Sequence, residues 1–284
     1  RYRVQACGLF SAFVLGAGLA LVIAVLREVL YDRIRSADDV ERKLGMPILG
    51  LTPLVEEGEV TQDNRRIGEA YSTIRTSIEF ALPRSDRNIL VFTSSQSSEG
   101  KTTSAVFFAM KSAQLGRKVL LVDADLRKPS VAGQFGVNRN NKGFVEVLLG
   151  ECTFDEALLR QPQENLDVLP VGPIPSNPVD VLSSPLVRQF VERHAPNYAF
   201  IIFDSPPVMG LADTPLLTRF ADGVVFFVES NKAHVGQTRQ ALRRLRDAGA
   251  NVLGVVLTKF KALDAGLSYD YEYHYYSYGE GGKK

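Results

Sequence analysis

Residues 91–103, Val-Phe-Thr-Ser-Ser-Gln-Ser-Ser-Glu-Gly-Lys-Thr-Thr, constrain this chain more than any other stretch. They read as a β-strand end, a loop of small residues and the first turn of a helix. Small residues followed by Gly-Lys-Thr let backbone N–H groups close around a phosphate chain, with a lysine ammonium on the outer phosphates and a hydroxyl on Mg²⁺. The loop departs from G-x-x-x-x-G-K-[ST] in one place, Ser95 standing where the first glycine belongs. Its flanks supply the context. Residues 88–93 are a short apolar run of buried-strand type, and residues 102–115 carry apolar side chains at helical spacing before Gly116. A nucleotide site is therefore expected over Ser97, Ser98, Glu99, Gly100, Lys101, Thr102 and Thr103.

With 284 residues, 45% hydrophobic and 23% charged, the chain can bury one large α/β core and little more. A formal charge of +1 argues against a nucleic-acid surface. The two cysteines, Cys7 and Cys152, lie far apart and set up neither a disulfide nor a zinc framework.

Residues 4–26 carry no charge, and a helix of that length rises about 34 Å, enough to cross a hydrocarbon core of roughly 30 Å. The stretch reads as a membrane span rather than a core helix or a secretory signal. Arg1 and Arg3 precede it, whereas Arg27, Arg33, Arg35, Arg42 and Lys43 follow, which places the C-terminal side in the cytoplasm. Beginning at Arg1 without a methionine, the chain reads as part of something longer, the missing part lying beyond the membrane. Ser36 caps a short helix through Leu44 that Gly45 and Pro47 end, and residues 55–64 read as an acidic linker. Residues 69–82 form an amphipathic outer helix ending at Pro83.

Beyond Asn88 apolar runs at 89–93, 118–123, 166–170, 200–204, 223–229 and 252–258 alternate with helical patterns, notably 187–194 and 237–248. The pattern predicts a mostly parallel sheet with helices on both faces and a ligand at the carboxyl ends of its strands. Two of these runs end in acids: Asp123 and Asp125 follow one, Asp204 the other. Carboxylates at strand tips beside a phosphate loop are what Mg²⁺ needs, directly or through water.

The runs 95–102, 119–127 and 200–207 resemble the Walker A, A′ and B motifs of the bacterial tyrosine kinases (BY-kinases) that control exopolysaccharide and capsule assembly. The resemblance extends over the membrane helix, residues 36–51 (SADDVERKLGMPILGL), the outer helix, the core and the tail. It implies a P-loop NTPase-like α/β fold with one preceding transmembrane helix and a flexible tyrosine-rich tail, divided at 1–30, 31–65, 66–266 and 267–284. Gln96 stands where partitioning ATPases carry a signature lysine, and His234 stands where a GTPase reads guanine with an aspartate, so ATP is favoured. Six of the ten tyrosines, Tyr269, Tyr271, Tyr273, Tyr275, Tyr276 and Tyr278, lie in a stretch without aliphatic residues, which reads as an acceptor tail rather than an edge strand.

By that resemblance Lys101 and the loop amides hold the outer phosphates of ATP. Thr102, Asp125 and Asp204 serve Mg²⁺, and Asp123 takes the tyrosine proton or orients its hydroxyl. Arg127 and Lys128 face phosphate or the acidic tail, or are simply a solvated pair. The tail tyrosines are phosphorylated by a neighbouring subunit. Glu69 and Arg75 are the remnants of a Glu-x-x-Arg-x-x-Arg ring contact whose middle arginine is Ser72 here. Expected partners are further copies in a ring-like homo-oligomer, polysaccharide polymerisation and export machinery, a protein-tyrosine phosphatase and a bacterial inner (plasma) membrane, with the kinase domain cytoplasmic. The competing readings are a membrane-anchored, ATP-binding regulator of chain length and an ATPase without a protein substrate.

Overall fold

The structure, a computed structural model, describes residues 16–20, 32–55, 65–83, 85, 87–137 and 142–261. Most of the expected membrane helix, the linker over 56–64 and the whole tyrosine cluster lie outside the described residues. Among the described residues no helix is long and apolar enough to cross a membrane.

Eight strands form one sheet: β1 (Ile48–Pro53), β2 (Asn88–Ser94), β3 (Val119–Asp123), β4 (Leu159–Gln163), β5 (Leu166–Leu169), β6 (Phe200–Asp204), β7 (Gly223–Glu229) and β8 (Val252–Phe260). Their order is β1-β8-β7-β2-β6-β3-β5-β4. All pairs are parallel except β4 with β5. The six strands read from sequence are present within two residues of the expected ends. β1 and β4, the two edges, are additions. β1 follows the expected helical turns Ala37–Asp39 and Val40–Leu44, which Gly45 ends in a left-handed conformation (φ 65°).

Side chains of a strand alternate between faces, so each run of Val, Ile, Leu and Phe feeds two cores. Val91, Val122, Phe203, Phe226 and Leu257 share one core. Leu90, Phe92, Leu121, Ile202, Phe227 and Val256 share the other. The second face is covered by α1 (Arg65–Ala81), through Ile67, Tyr71, Ile74 and Ile78, and by α2 (Lys101–Gln114). α1 starts one turn earlier than the hydrophobic pattern predicts. The first face is covered by α3 (Pro185–His194) and α4 (Val235–Asp247). α3 begins with Pro185 behind its cap Ser184, whose side chain accepts from the Leu186 N–H, and ends in Arg193 and His194.

Phe92 is fully buried, with ring centroids 5.4 Å from Phe108 and 5.1 Å from Phe227. Truncation there removes one ring from three interlocked elements just before the phosphate loop. Phe92→Ala is expected to lower unfolding stability by about 3–5 kcal/mol in urea denaturation followed by circular dichroism.

Candidate active site

β2, β6 and β3 are consecutive in the sheet, and Phe92 pairs with Asp204, which pairs with Asp123. Their carboxyl ends therefore finish level, and the loop after β2 lies beside both acids. Gly100 closes this loop with φ 81°, and a Cβ there would lie 3.3 Å from the Thr258 side chain, so glycine is required by conformation and crowded by space. A cleft of about 760 Å³ opens over the loop, lined among others by Gln96, Ser97, Ser98, Gly100, Lys101, Thr102, Thr103, Asp125, Arg127 and Lys128.

At its floor the Lys101 ammonium donates to Asp204 Oδ1 at 2.6 Å, and the Thr102 hydroxyl donates to Asp204 Oδ2 at 2.7 Å. Asp204 has no solvent exposure. Burial pushes its carboxyl above the usual range although Lys101 and Thr102 pull the other way. Thr102 also lies 3.1 Å from the Ser130 hydroxyl. Among the described residues no group of three or more His, Cys, Asp or Glu side chains forms a metal cage. Mg²⁺ in phosphoryl-transfer sites needs none, since one or two carboxylates, waters and substrate phosphates complete its octahedron. The hydroxyl of Thr102 with Asp204, and Asp125 in the cleft wall, are hard oxygen donors of that kind.

Asp123 sits beneath the cleft rather than in its wall. Its Oδ2 accepts from the Ser130 N–H at 3.0 Å and the Val131 N–H at 2.9 Å, and its Oδ1 accepts from the Asp125 N–H at 3.2 Å. Burial first, and the neighbouring Asp204 second, raise its pKa to about 7. Asp125 Oδ1 in turn accepts from the N–H groups of Arg127 and Lys128. The two aspartates thus shape the turn that carries the basic pair. Arg127 grips the fully buried Asp213 with two bonds, Nε at 2.8 Å and Nη2 at 3.1 Å, so it is not a plain solvated cation.

Two contributors were not visible in the sequence, and a third, Glu99, is marked there only as a member of the phosphate loop. Asp213 is one. Lys259, in a left-handed conformation (φ 53°), donates to the Ser98 carbonyl at 2.9 Å and pairs with Glu229 at 3.1 Å. Glu99 turns its carboxylate into the loop, where it accepts from the Ser95 hydroxyl at 2.9 Å and the Gln96 N–H at 2.7 Å. Ser95 and Glu99 are 1% and 4% exposed, and Thr258 donates to the Glu99 carbonyl at 2.8 Å. This brace gives Ser95 a purpose at the glycine position: its hydroxyl holds a buried carboxylate that ties the loop's start to its end. On α1, Glu69 pairs with Arg65 at 2.8 Å and Arg75 with Glu79 at 2.7 Å, all within one helix.

Ser95→Gly, which restores the common loop residue but deletes the brace, is expected to weaken ADP binding about tenfold in calorimetric titration, a hydrogen bond to a charged group being worth roughly 1.5–3 kcal/mol. The Asp123 carboxyl has a folded pKa raised above the ordinary aspartate value of 3.8. Its contribution to stability is full below about pH 4 and is lost as pH rises through about 7. Asp123→Asn is expected to flatten the fall in unfolding stability between about pH 4 and 7, measured by denaturation across that range.

A family model described as AAA domain matches residues 88–248, from the start of β2 past the end of α4. The tyrosine-protein kinase YwqD of Bacillus subtilis is 37% identical over 212 residues, 75% of this chain and 89% of that protein. The EpsB protein of Ralstonia solanacearum is 29% identical over 270 residues, covering 89% of this chain but 36% of its own length. The crystal structure of the chimerical protein CapA2B2 superposes with a TM-score of 0.73 at 35% identity, covering 79% of this chain and 99% of that one. A mostly parallel sheet with Lys101, Thr102 and Asp204 joined at its centre, an AAA-domain match over more than half the chain, and 37% identity to nearly the whole of a tyrosine-protein kinase place this chain in the family of bacterial tyrosine kinases.

Proposed function

We propose that this kinase binds ATP with Mg²⁺ in the cleft after β2 and transfers the γ-phosphoryl group to the C-terminal tyrosine cluster of a neighbouring copy. The observation that carries the reading is the convergence of Lys101, Thr102 and Asp204 on one another, with Asp125 in the wall of the same cleft. Lys101 and the loop amides neutralise the outer phosphates, and Mg²⁺, which polarises them when bound, is held by Thr102, Asp204 and Asp125. Positioning and charge neutralisation supply most of the catalysis in phosphoryl transfer. Of the two roles open to Asp123, orientation fits its burial and its backbone partners better than direct contact with a phenol.

Neither of the two described tyrosines is a competing acceptor. Tyr71 is buried, hydrogen-bonded to Ser104 at 2.9 Å, and its pKa is raised by burial to about 12. Tyr198 is buried and donates to Asp167 at 2.6 Å, and burial followed by that carboxylate pushes its pKa up. Neither hydroxyl is offered to an incoming phosphate. In this reading the chain is anchored by residues 4–26 in the bacterial plasma membrane with the kinase domain in the cytoplasm. It associates as a ring, is reset by a protein-tyrosine phosphatase, and regulates polymerisation and export of an exopolysaccharide or capsule. The tyrosine-protein kinase names of YwqD and EpsB support the kinase part of this reading and the family resemblance carries the rest; a ring would require Glu69 or Arg75 to exchange partners within α1 for partners on another copy.

Incubation of the full chain with Mg·ATP is expected to yield phosphotyrosine within 268–284 by mass spectrometry. Lys101→Met is expected to reduce it by about a hundredfold or more, as losing a preorganised charge stabiliser does. Removing residues 268–284 should abolish most labelling and leave nucleotide binding intact. Nucleotide binding without any phosphotyrosine would instead favour the ATP-binding regulator, and labelling that persists on Tyr71 or Tyr198 would refute the acceptor assignment.

A further inference from the structure

The cleft has two chemically different ends, and the sheet order separates them. The first half of the phosphate loop leans towards β7 and β8: the Gln96 side chain meets Gln237 of α4, and the Ser98 carbonyl meets Lys259 at the end of β8. The second half leans the other way, where Lys101 and Thr102 meet Asp204 after β6 and Thr102 meets Ser130 after β3. β8 and β3 are four strand spacings apart, about 19 Å. Because Lys101 marks the outer phosphates, the nucleoside belongs at the Lys259 end and the phosphoryl acceptor at the end formed by the loops after β6 and β3.

That acceptor end joins an apolar wall to a cation. Pro207, Met209 and Leu211 line the cleft and are half-buried. Their loop is held rigid from three sides. Arg244 of α4 donates to the Val208 and Leu211 carbonyls at 3.0 and 3.1 Å, Thr93 and Thr214 donate to the Pro206 carbonyl at 2.9 and 2.6 Å, and the Val208 N–H donates to the Ser94 carbonyl at 2.9 Å. So much support for a short loop preorganises a surface rather than a hinge. Of the charges facing it, Arg127 is neutralised by Asp213, and Asp125 has Oδ1 on two amides and is the proposed Mg²⁺ neighbour. Lys128 lines the cleft, is exposed, and its ammonium has no partner among the described residues.

From this we infer that Pro207, Met209, Leu211 and Lys128 form the acceptor subsite: the apolar wall takes a phenol ring and Lys128 takes a carboxylate beside it, so the kinase selects acid-flanked tyrosines. The occupant is the C-terminal segment of a second copy, in which Asp270 and Glu272 alternate with Tyr269, Tyr271 and Tyr273. Aromatic rings favour such apolar faces with a polar tip left free, and charge complementarity sets partner choice. The inference rests on the tyrosine-kinase reading and adds the side chains that choose the substrate.

The test measures a ratio, so loss of overall activity does not confuse it. Full-length wild-type chain is given an equal mixture of two full-length Lys101→Met acceptors, one with the natural tail and one carrying Asp270→Lys and Glu272→Lys, and tail phosphotyrosine is counted on each. The wild type is expected to prefer the acidic acceptor about tenfold, and Lys128→Glu to erase or invert that preference, one desolvated charge pair being worth about that factor. Met209→Ala is expected to lower labelling of both acceptors without changing their ratio. An unchanged ratio in Lys128→Glu, or no preference in the wild type, overturns the subsite while leaving the kinase intact. Absence of phosphotyrosine on both acceptors with the wild type overturns the kinase reading and the subsite with it.

Discussion

Lys101 and Asp204 meet at 2.6 Å in a position that neither would occupy alone. A carboxylate without solvent exposure is costly unless a cation and hydrogen bonds compensate it, and removing one partner of such a pair costs about 3–5 kcal/mol. The sheet order is what brings them together, because β2 and β6 are neighbours in space though more than a hundred residues apart in sequence. Asp123 and Glu99 are among the further buried carboxylates of the same neighbourhood, while Lys101 is the one buried cation among the described residues. Burial accordingly raises all three acids. The centre of the site is electrostatically expensive, and the two apolar layers on either side of the sheet hold it in place.

Much of this is legible in the amino-acid sequence. The central strands announce themselves as continuous apolar runs because they are buried on both faces, and parallel neighbours need no local pairing signal beyond that. Asp125 and Asp204 could be picked out because they sit at or just past strand ends, and Lys101 and Thr102 because they open the helix that follows the β2 loop, positions that a single topology brings to one edge. Their number, rather than any one of them, carried the assignment.

What escaped the sequence has a common cause. β1 is a six-residue strand between Pro47 and an acidic stretch, and its partner β8 lies about two hundred residues onward, so nothing local announces a parallel edge. β4 contains Pro162 and little apolar pattern. Asp213 looks like any acid at the start of a helix until Arg127 is seen against it. Ser95 reads as a defect in a glycine position until Glu99 is seen to turn inward onto its hydroxyl. Each is a pairwise fact between groups whose individual identities are ordinary.

The two edges of the sheet bear on how copies can meet. An exposed strand edge is a template for joining another sheet, and proteins guard such edges with short strands, proline and irregular pairing. Here β4 is short, antiparallel and interrupted by Pro162, which offers no N–H. On the opposite side β1 is broken by register shifts and closes with Pro53. Neither edge invites continuation of the ladder from one molecule to the next. Contacts between copies would therefore fall on helix faces and cleft mouths, where they could form and release without rebuilding backbone hydrogen bonds.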